Sequence, residues 1–275
     1  MHAPELTEAY RLERDLIDQF RRDGFIHLHG VLTAETLQPY ADEITAKVLE
    51  LNTMHLPLSE RSTYHKAFLQ VTNIWRESDI AKELVFSRRL ARIATELLGT
   101  KGVRLYHDQA LYKEPGGGIT PWHVDQYYWP LGSPATVTAW IPLQDTPVEM
   151  GPLSFASGSH KFPLHRDLSI SDDSERLIRE VMDREQFPYV ERAFALGDVS
   201  FHSGYTFHRA PPNQSETPRK VMTVIYMDRD ITVSEPANDE QRGDLRAWLL
   251  EARIGETPDG PLNPVLFEGG DELSA

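Results

Sequence analysis

The chain has 275 residues, 40% of them hydrophobic and 25% charged, with no cysteine and a formal charge of −14. That apolar content suffices for a full core, and the absent thiols exclude disulfides and thiolate metal sites, leaving His, Asp and Glu as metal ligands. The acidic balance argues against nucleic acid, which is bound through Lys and Arg meeting phosphates, and with no apolar run of about eighteen residues nothing is expected to span a membrane.

The start, MHAPELTEAYRLERDLIDQF, is charged and lacks the apolar stretch of a secretory signal, which together with zero cysteine points to the cytoplasm. Leu12, Leu16, Ile17 and Phe20 recur at helical spacing and predict a helix over residues 6–22, with Gly24 as its C-cap. FIHLHGVL then alternates as a short strand. Thr33 opens a second helix to about Leu51, with Pro39 an objection inside it. Residues 79–98 read as helix again. Ser87 is an internal cap there, Leu90, Ile93, Ala94 and Leu97 share a face, and Gly99 is the stop.

From Val103 the texture changes. VRLYHDQALY, ATVTAWIPLQ, VERAFALGDVSFHS and RKVMTVIYM are β-rich runs separated by Gly and Pro turns. One helical insert interrupts them near residues 171–186, and a last helix in DEQRGDLRAWLLEAR precedes a Gly-rich, acidic tail. The pattern predicts one domain over residues 1–275, mainly β with helical additions (α+β). Its parts are a helical stretch over 1–100, a sandwich or barrel core over 101–232, and a closing helix and tail over 233–275.

The chemistry concentrates in TPWHVDQYYWP. Side chains two apart on a strand share a face, so His123 and Asp125 can reach one point. A second histidine would complete a facial triad of two His and one carboxylate, the ligand set of non-haem Fe(II) oxygenases. Eleven histidines compete for that place. His2, His55, His160 and His165 have polar or terminal settings. His27 and His29 share a strand face early in the chain and read as structural, and His107 has the wrong alternation with Asp108. His202 and His208 remain, both in GDVSFHSGYTFHRAPPN. Arg219 follows, opening the strand RKVMTVIYM. A buried strand that starts with arginine needs an anion, and a planar guanidinium suits a carboxylate.

PWHVDQYYWP, TAWIPLQD, GPLSFASGSH and GDVSFHSGYTFHRAPPN, followed by Arg219, resemble the phytanoyl-CoA dioxygenase family of Fe(II)/2-oxoglutarate oxygenases. The likeness covers roughly residues 103–230, with a weaker echo in FRRDGFIHLHGVL. It implies a double-stranded β-helix, a cupin-like jelly roll whose mouth holds the metal. Carried over by position, it makes His123, Asp125 and His208 the iron ligands and Arg219 the clamp on the distal carboxylate of 2-oxoglutarate. Trp140 falls where a ring meets the co-substrate, and Gln109 and Lys66 take weaker co-substrate roles. The family's serine two after the distal histidine is Ala210 here, so one co-substrate hydrogen bond is either absent or supplied elsewhere, with Thr138 the candidate.

The same resemblance implies that 2-oxoglutarate and O2 are consumed, succinate and CO2 released, and an unactivated C–H bond of a small or medium-sized metabolite hydroxylated. Asp125 fills the position that a small residue leaves to chloride in related halogenases, which disfavours halogenation. Tyr127, Tyr128, Trp129 and Trp75 are the candidate substrate wall, with a plain packing role as the alternative. Arg61 and Tyr64 read equally as packing. The EPGGG run has no following Lys-Ser/Thr and reads as a mobile loop. Two rival classes are a cupin-like metal isomerase or hydrolase, which needs no Arg219, and a binding module that has lost catalysis. The sequence does not set the oligomeric state.

Overall fold

A computed structural model describes residues 3–250 and 252–269. Its strands are β1 (Phe25–Leu28), β2 (Leu69–Thr72), β3 (Gly102–Lys113), β4 (Thr120–His123), β5 (Thr136–Pro142) and β6 (Ser154–Ala156). They continue with β7 (Tyr189–Glu191), β8 (Val199–Ser203), β9 (His208–Ala210), β10 (Arg219–Asp228) and β11 (Val265–Glu268). The larger sheet runs β1-β8-β5-β10-β3-β11, with β2 also on β3; the smaller runs β4-β9-β6-β7. All pairings within these sheets are antiparallel. The two sheets form the expected jelly roll, with helices on the outer face of the larger one.

The helices are α1 (Arg14–Asp23), α2 (Ala34–Leu51), α3 (Thr63–Ala67), α4 (Asp79–Val85), α5 (Arg88–Leu98), α6 (Asp172–Glu185) and α7 (Asp239–Trp248). Polar caps set several of their starts. The side chains of Thr33, Ser87 and Ser171 accept from the backbone N–H three residues on. Gly24 and Gly99 end α1 and α5 in the left-handed conformation.

Three helix boundaries differ from the sequence pattern. α1 starts at Arg14 rather than near residue 6, because Leu6 sits in its own 3-10 turn behind Pro4 and is 1% exposed in the core. Residues 79–98 split at Phe86–Ser87, where Ser87 begins a new helix. The last helix stops at Trp248, and β11 forms where a tail was expected; the final acidic residues, 270–275, lie outside the described residues. Pro39 does stay within α2. It and Glu35 lie on the exposed face, where water can take the carbonyl that proline leaves without a donor.

Strand alternation sorts the core into two sides. Val137, Ala139 and Ile141 of β5, Val199 and Phe201 of β8, and Met222, Val224 and Tyr226 of β10 face the helices in one apolar cluster. Their neighbours Thr138, Trp140, His202, Arg219, Thr223 and Ile225 line a cavity of about 250 Å³ between the sheets. The period of two therefore gathers several polar residues of the long strands inside the roll, at one site.

Candidate active site

His123 and His208 are direct register partners across β4 and β9, with ring centroids 4.1 Å apart. Each ring is fixed in the same way. His123 Nδ1 bonds the carbonyl of Pro121 at 2.7 Å, and His208 Nδ1 that of Thr206 at 3.0 Å. A carbonyl only accepts, so both Nδ1 atoms carry the proton and both Nε2 atoms keep a lone pair for a metal.

Asp125 reaches these nitrogens from a different kind of element than the spacing suggested. β4 ends at His123, and Asp125 opens a 3-10 turn to Tyr128. The chain leaves the sheet because Gln126 turns away from β9: its N–H donates to Gly204 O, and its side chain accepts from Thr136 Oγ1 at 2.6 Å. Asp125 Oδ1 then lies 3.5 Å from His123 Nε2 and 3.5 Å from His208 Nε2. Its other oxygen is occupied, since Thr138 Oγ1 donates to Oδ2 at 3.0 Å and His202 Nε2 donates to it at 3.1 Å.

Three lone pairs thus converge with no proton among them, which is unfavourable unless a cation sits between. The ligand atoms all lie within 4.8 Å of one another, the right donor set for an open-sided divalent ion. Burial opposes the ionised form of Asp125. The hydrogen bond from His202 and the imidazoles gathered around the carboxylate outweigh that and hold it well below its ordinary range. His208 is itself pushed well down by burial and by His123, so it stays neutral and ligating.

Arg219 closes one end of the cavity. It is 2% exposed, its Nη1 donates to Gly151 O, and its Nε has no partner. Burial alone pushes it down to about 9, still charged at neutral pH. Trp140 lies under the guanidinium at 5.5 Å, with its own Nε1–H unpartnered. Gly151 is at φ +67, and a Cβ there would stand 2.2 Å from Pro211 O, so only glycine brings this carbonyl to the arginine. A buried cation and two unused donors in one pocket end fit a carboxylate.

Thr138 lines the cavity, and its nearest partner is the triad carboxylate. Its hydroxyl proton is used on Asp125. Lys66 is displaced: it sits half-buried on α3 and does not line the cavity. The buried lysine near Arg219 is Lys113, its register partner on β3, which is 0% exposed. Lys113 Nζ donates to Gly118 O at 2.7 Å and Pro211 O at 2.8 Å, tying the strand end to the loops below the arginine.

The other end of the cavity is aromatic. Tyr128 and Trp129 line it, as do Tyr64, Trp248 and the polar pair His107 and Asp244. Two expected wall residues do not. Tyr127 packs outward with Trp122 and Val124, and Trp75 packs on Phe86 at 5.2 Å. Gln109 is on the lining and accepts from Gln70 Nε2 at 2.6 Å, while Gln70 Oε1 accepts from Tyr64 at 2.8 Å. Arg61 pairs with Glu114 beside the glycine run, which is tied by Gly116 N to Asn213 O and Gly118 N to Lys66 O.

The rim residues His107, Asp244 and Trp248 carried no usable sequence signal, because they come from β3 and α7. His202 was legible only as a rival ligand six residues before His208. β8 and β9 lie in different sheets, and both rings still face one point, 4.4 Å apart.

A sequence profile for phytanoyl-CoA dioxygenase matches residues 20–221. The methylphosphonate hydroxylase of Gimesia maris is 27% identical over 76% of this chain and 78% of its own. Among solved structures, the non-haem alpha-ketoglutarate-dependent carbocyclase SnoK of nogalamycin biosynthesis superposes with a TM-score of 0.76 and 28% identity, covering 94% of this chain and 97% of its own. The epimerase SnoN, solved with Fe3+, alpha-ketoglutarate and nogalamycin RO, gives 0.72 and 28%, covering 92% and 98%.

Proposed function

The chain belongs to the phytanoyl-CoA dioxygenase family, and from that premise we propose that it hydroxylates an unactivated C–H bond of a small or medium-sized metabolite. Fe(II) is its metal and 2-oxoglutarate and O2 are its co-substrates. In this reading His123, Asp125 and His208 hold the iron, and Arg219 binds the distal carboxylate of 2-oxoglutarate over Trp140.

One observation carries the proposal: a single cavity has the lone-pair triad at its middle, an unpaired guanidinium at one end and an aromatic chamber at the other. When bound, the iron and 2-oxoglutarate supply the oxidising power, with succinate and CO2 as co-products. The chain's residues do the rest. Thr138 and His202 fix the carboxylate, so that Oδ1 alone faces the metal. Arg219 and Trp140 orient the keto acid from behind. Tyr128, Trp129 and Trp248 exclude water from the reacting carbon.

The chamber also bears on the substrate. Asp244 is its one carboxylate beyond the metal, and no Lys or Arg lines that end among the described residues. Tyr106 donates to Asp244 at 2.8 Å, and burial lifts the carboxyl to about 6. A neutral or basic metabolite suits this wall better than a polyanion such as an acyl-CoA. A second reading comes from SnoK and SnoN: the same centre closing a ring or inverting a stereocentre.

The experiment is a metabolite screen for substrate-dependent succinate release with Fe(II) and 2-oxoglutarate, repeated under 18O2. Hydroxylation puts one labelled oxygen in the product. Succinate release with unlabelled product would mean ring closure or epimerisation. Turnover without O2 or 2-oxoglutarate would point to a cupin-like isomerase or hydrolase instead, and binding with no turnover to a module without catalysis.

A further inference from the structure

We propose that His27, His29 and Asp198 form a second divalent-metal site, separate from the catalytic triad and suited to an octahedral or square-planar late first-row ion such as Ni2+. His27 closes toward the inner face of β1, and His29 follows two residues on. Asp198 precedes β8, whose Val199 pairs with Leu28, so the strand pairing itself brings the carboxylate to the two rings. Asp198 Oδ2 lies 2.9 Å from His27 Nε2 and 3.0 Å from His29 Nδ1.

The three groups are held before any ion arrives. Gly30 N donates to Asp198 Oδ1 at 3.1 Å and Ala195 N to Oδ2 at 3.2 Å. The His27 ring is stacked on Phe194 at 4.0 Å and 13°, with His29 4.5 Å away on it. The His29 side chain is 74% exposed, yet its ring turns back onto the carboxylate. An exposed imidazole fixed in this way is positioned for something.

The spacing favours one kind of ion. Bonds of about 2.0–2.2 Å at right angles place neighbouring ligands roughly 3.0 Å apart, as in octahedral or square-planar ions. The observed separations match two such neighbouring positions, and the exposed side of His29 leaves the others to water. Two imidazoles and one carboxylate are the borderline donors that late first-row ions prefer. Arg192, the arginine acting on His27, is exposed and therefore screened. A bound ion would clamp β1 to β8, the strand that carries His202.

The same spacing would serve two shared protons, and metal counting separates the cases. Full-length protein, stripped of metal by a chelator, is titrated calorimetrically with Ni2+. Asp125→Ala, His29→Ala and the double variant run beside it, with far-UV circular dichroism and melting curves as controls. The expected result is two sites in the parent and one strong site in Asp125→Ala, weakened at least about tenfold when His29→Ala is added. His29→Ala alone should keep the parent's iron-dependent turnover of 2-oxoglutarate. Equal metal binding by Asp125→Ala and the double variant would overturn the proposal, as would a melting point that metal raises equally in both.

Discussion

Among the described residues are two clusters of two histidines and one aspartate, and they differ in which atoms are already taken. In the inner cluster, the Asp125 oxygen facing the histidines has no donor, because His202 and Thr138 occupy the other one. In the outer cluster, the Asp198 oxygen that meets the rings also accepts a backbone N–H. The inner cluster opens on a cavity that ends at a buried arginine, while the outer lies at a sheet edge with one ring in solvent. Identical residue types therefore do different work. Second-layer donors and the neighbouring void, not the ligand list, mark the inner cluster as the catalytic one.

The sharpest way to break this contrast is to remove each aspartate's partner set in turn. Asp125→Ala should cut substrate hydroxylation by more than about 100-fold, beyond the usual loss for a residue that only supports a ligand. It should still bind 2-oxoglutarate through Arg219. His29→Ala, on the exposed side of the outer cluster, should change the same rate by no more than about twofold. Steady-state rates of the two variants check this. Equal losses would mean the clusters do not differ as described.

The arginine comes next. Arg219→Ala should raise the 2-oxoglutarate KM by an amount equivalent to about 2–5 kcal/mol, because a carboxylate would be left unpaired in a closed site. Arg219→Lys should recover only part, since an ammonium cannot form the planar fork. Unchanged co-substrate kinetics in both would move the role to another group, with Lys113 the first to test.

Much of this site was legible in sequence, for reasons tied to particular residues. VRLYHDQALY and RKVMTVIYM read as β-rich runs, and they form β3 and β10, whose residues reach the cavity wall. Caps at Thr33, Ser87, Gly24 and Gly99 fall where their chemistry put them. His123, Asp125, His208 and Arg219 stand in legible motifs, though Asp125 arrives through a 3-10 turn and His208 through cross-strand register.

What the sequence hid was set by contacts between distant segments. Nothing local distinguishes Lys113 from Lys66, yet strand pairing puts only Lys113 opposite Arg219. Tyr127 and Tyr128 are adjacent, and the turn sends them to opposite sides. Asp198, the partner of both His27 and His29, lies 171 residues from His27, so no local pattern shows it.

Smaller effects sharpen the account of the donors behind Asp125. His202 is a positioning residue, so His202→Phe should weaken Fe(II) affinity by about 10–100-fold, and His202→Gln, which keeps an N–H donor, should recover part of it. A merely structural role would lower the melting point without changing iron affinity in the folded protein. Thr138→Val removes one hydrogen bond worth about 1 kcal/mol and should cost roughly fivefold in the same affinity. Competition titrations against a chelator measure both.

The most direct test of the central claim is an anaerobic titration of Fe(II)-loaded protein with 2-oxoglutarate, followed by visible absorption. A keto acid chelating iron through its keto and carboxylate oxygens gives a charge-transfer band, whereas a carboxylate bound elsewhere gives none. The band is expected in the parent, at higher co-substrate concentration in Arg219→Ala, and not in His208→Ala. No band in the parent, or an undiminished one in His208→Ala, would contradict the assignment of this centre.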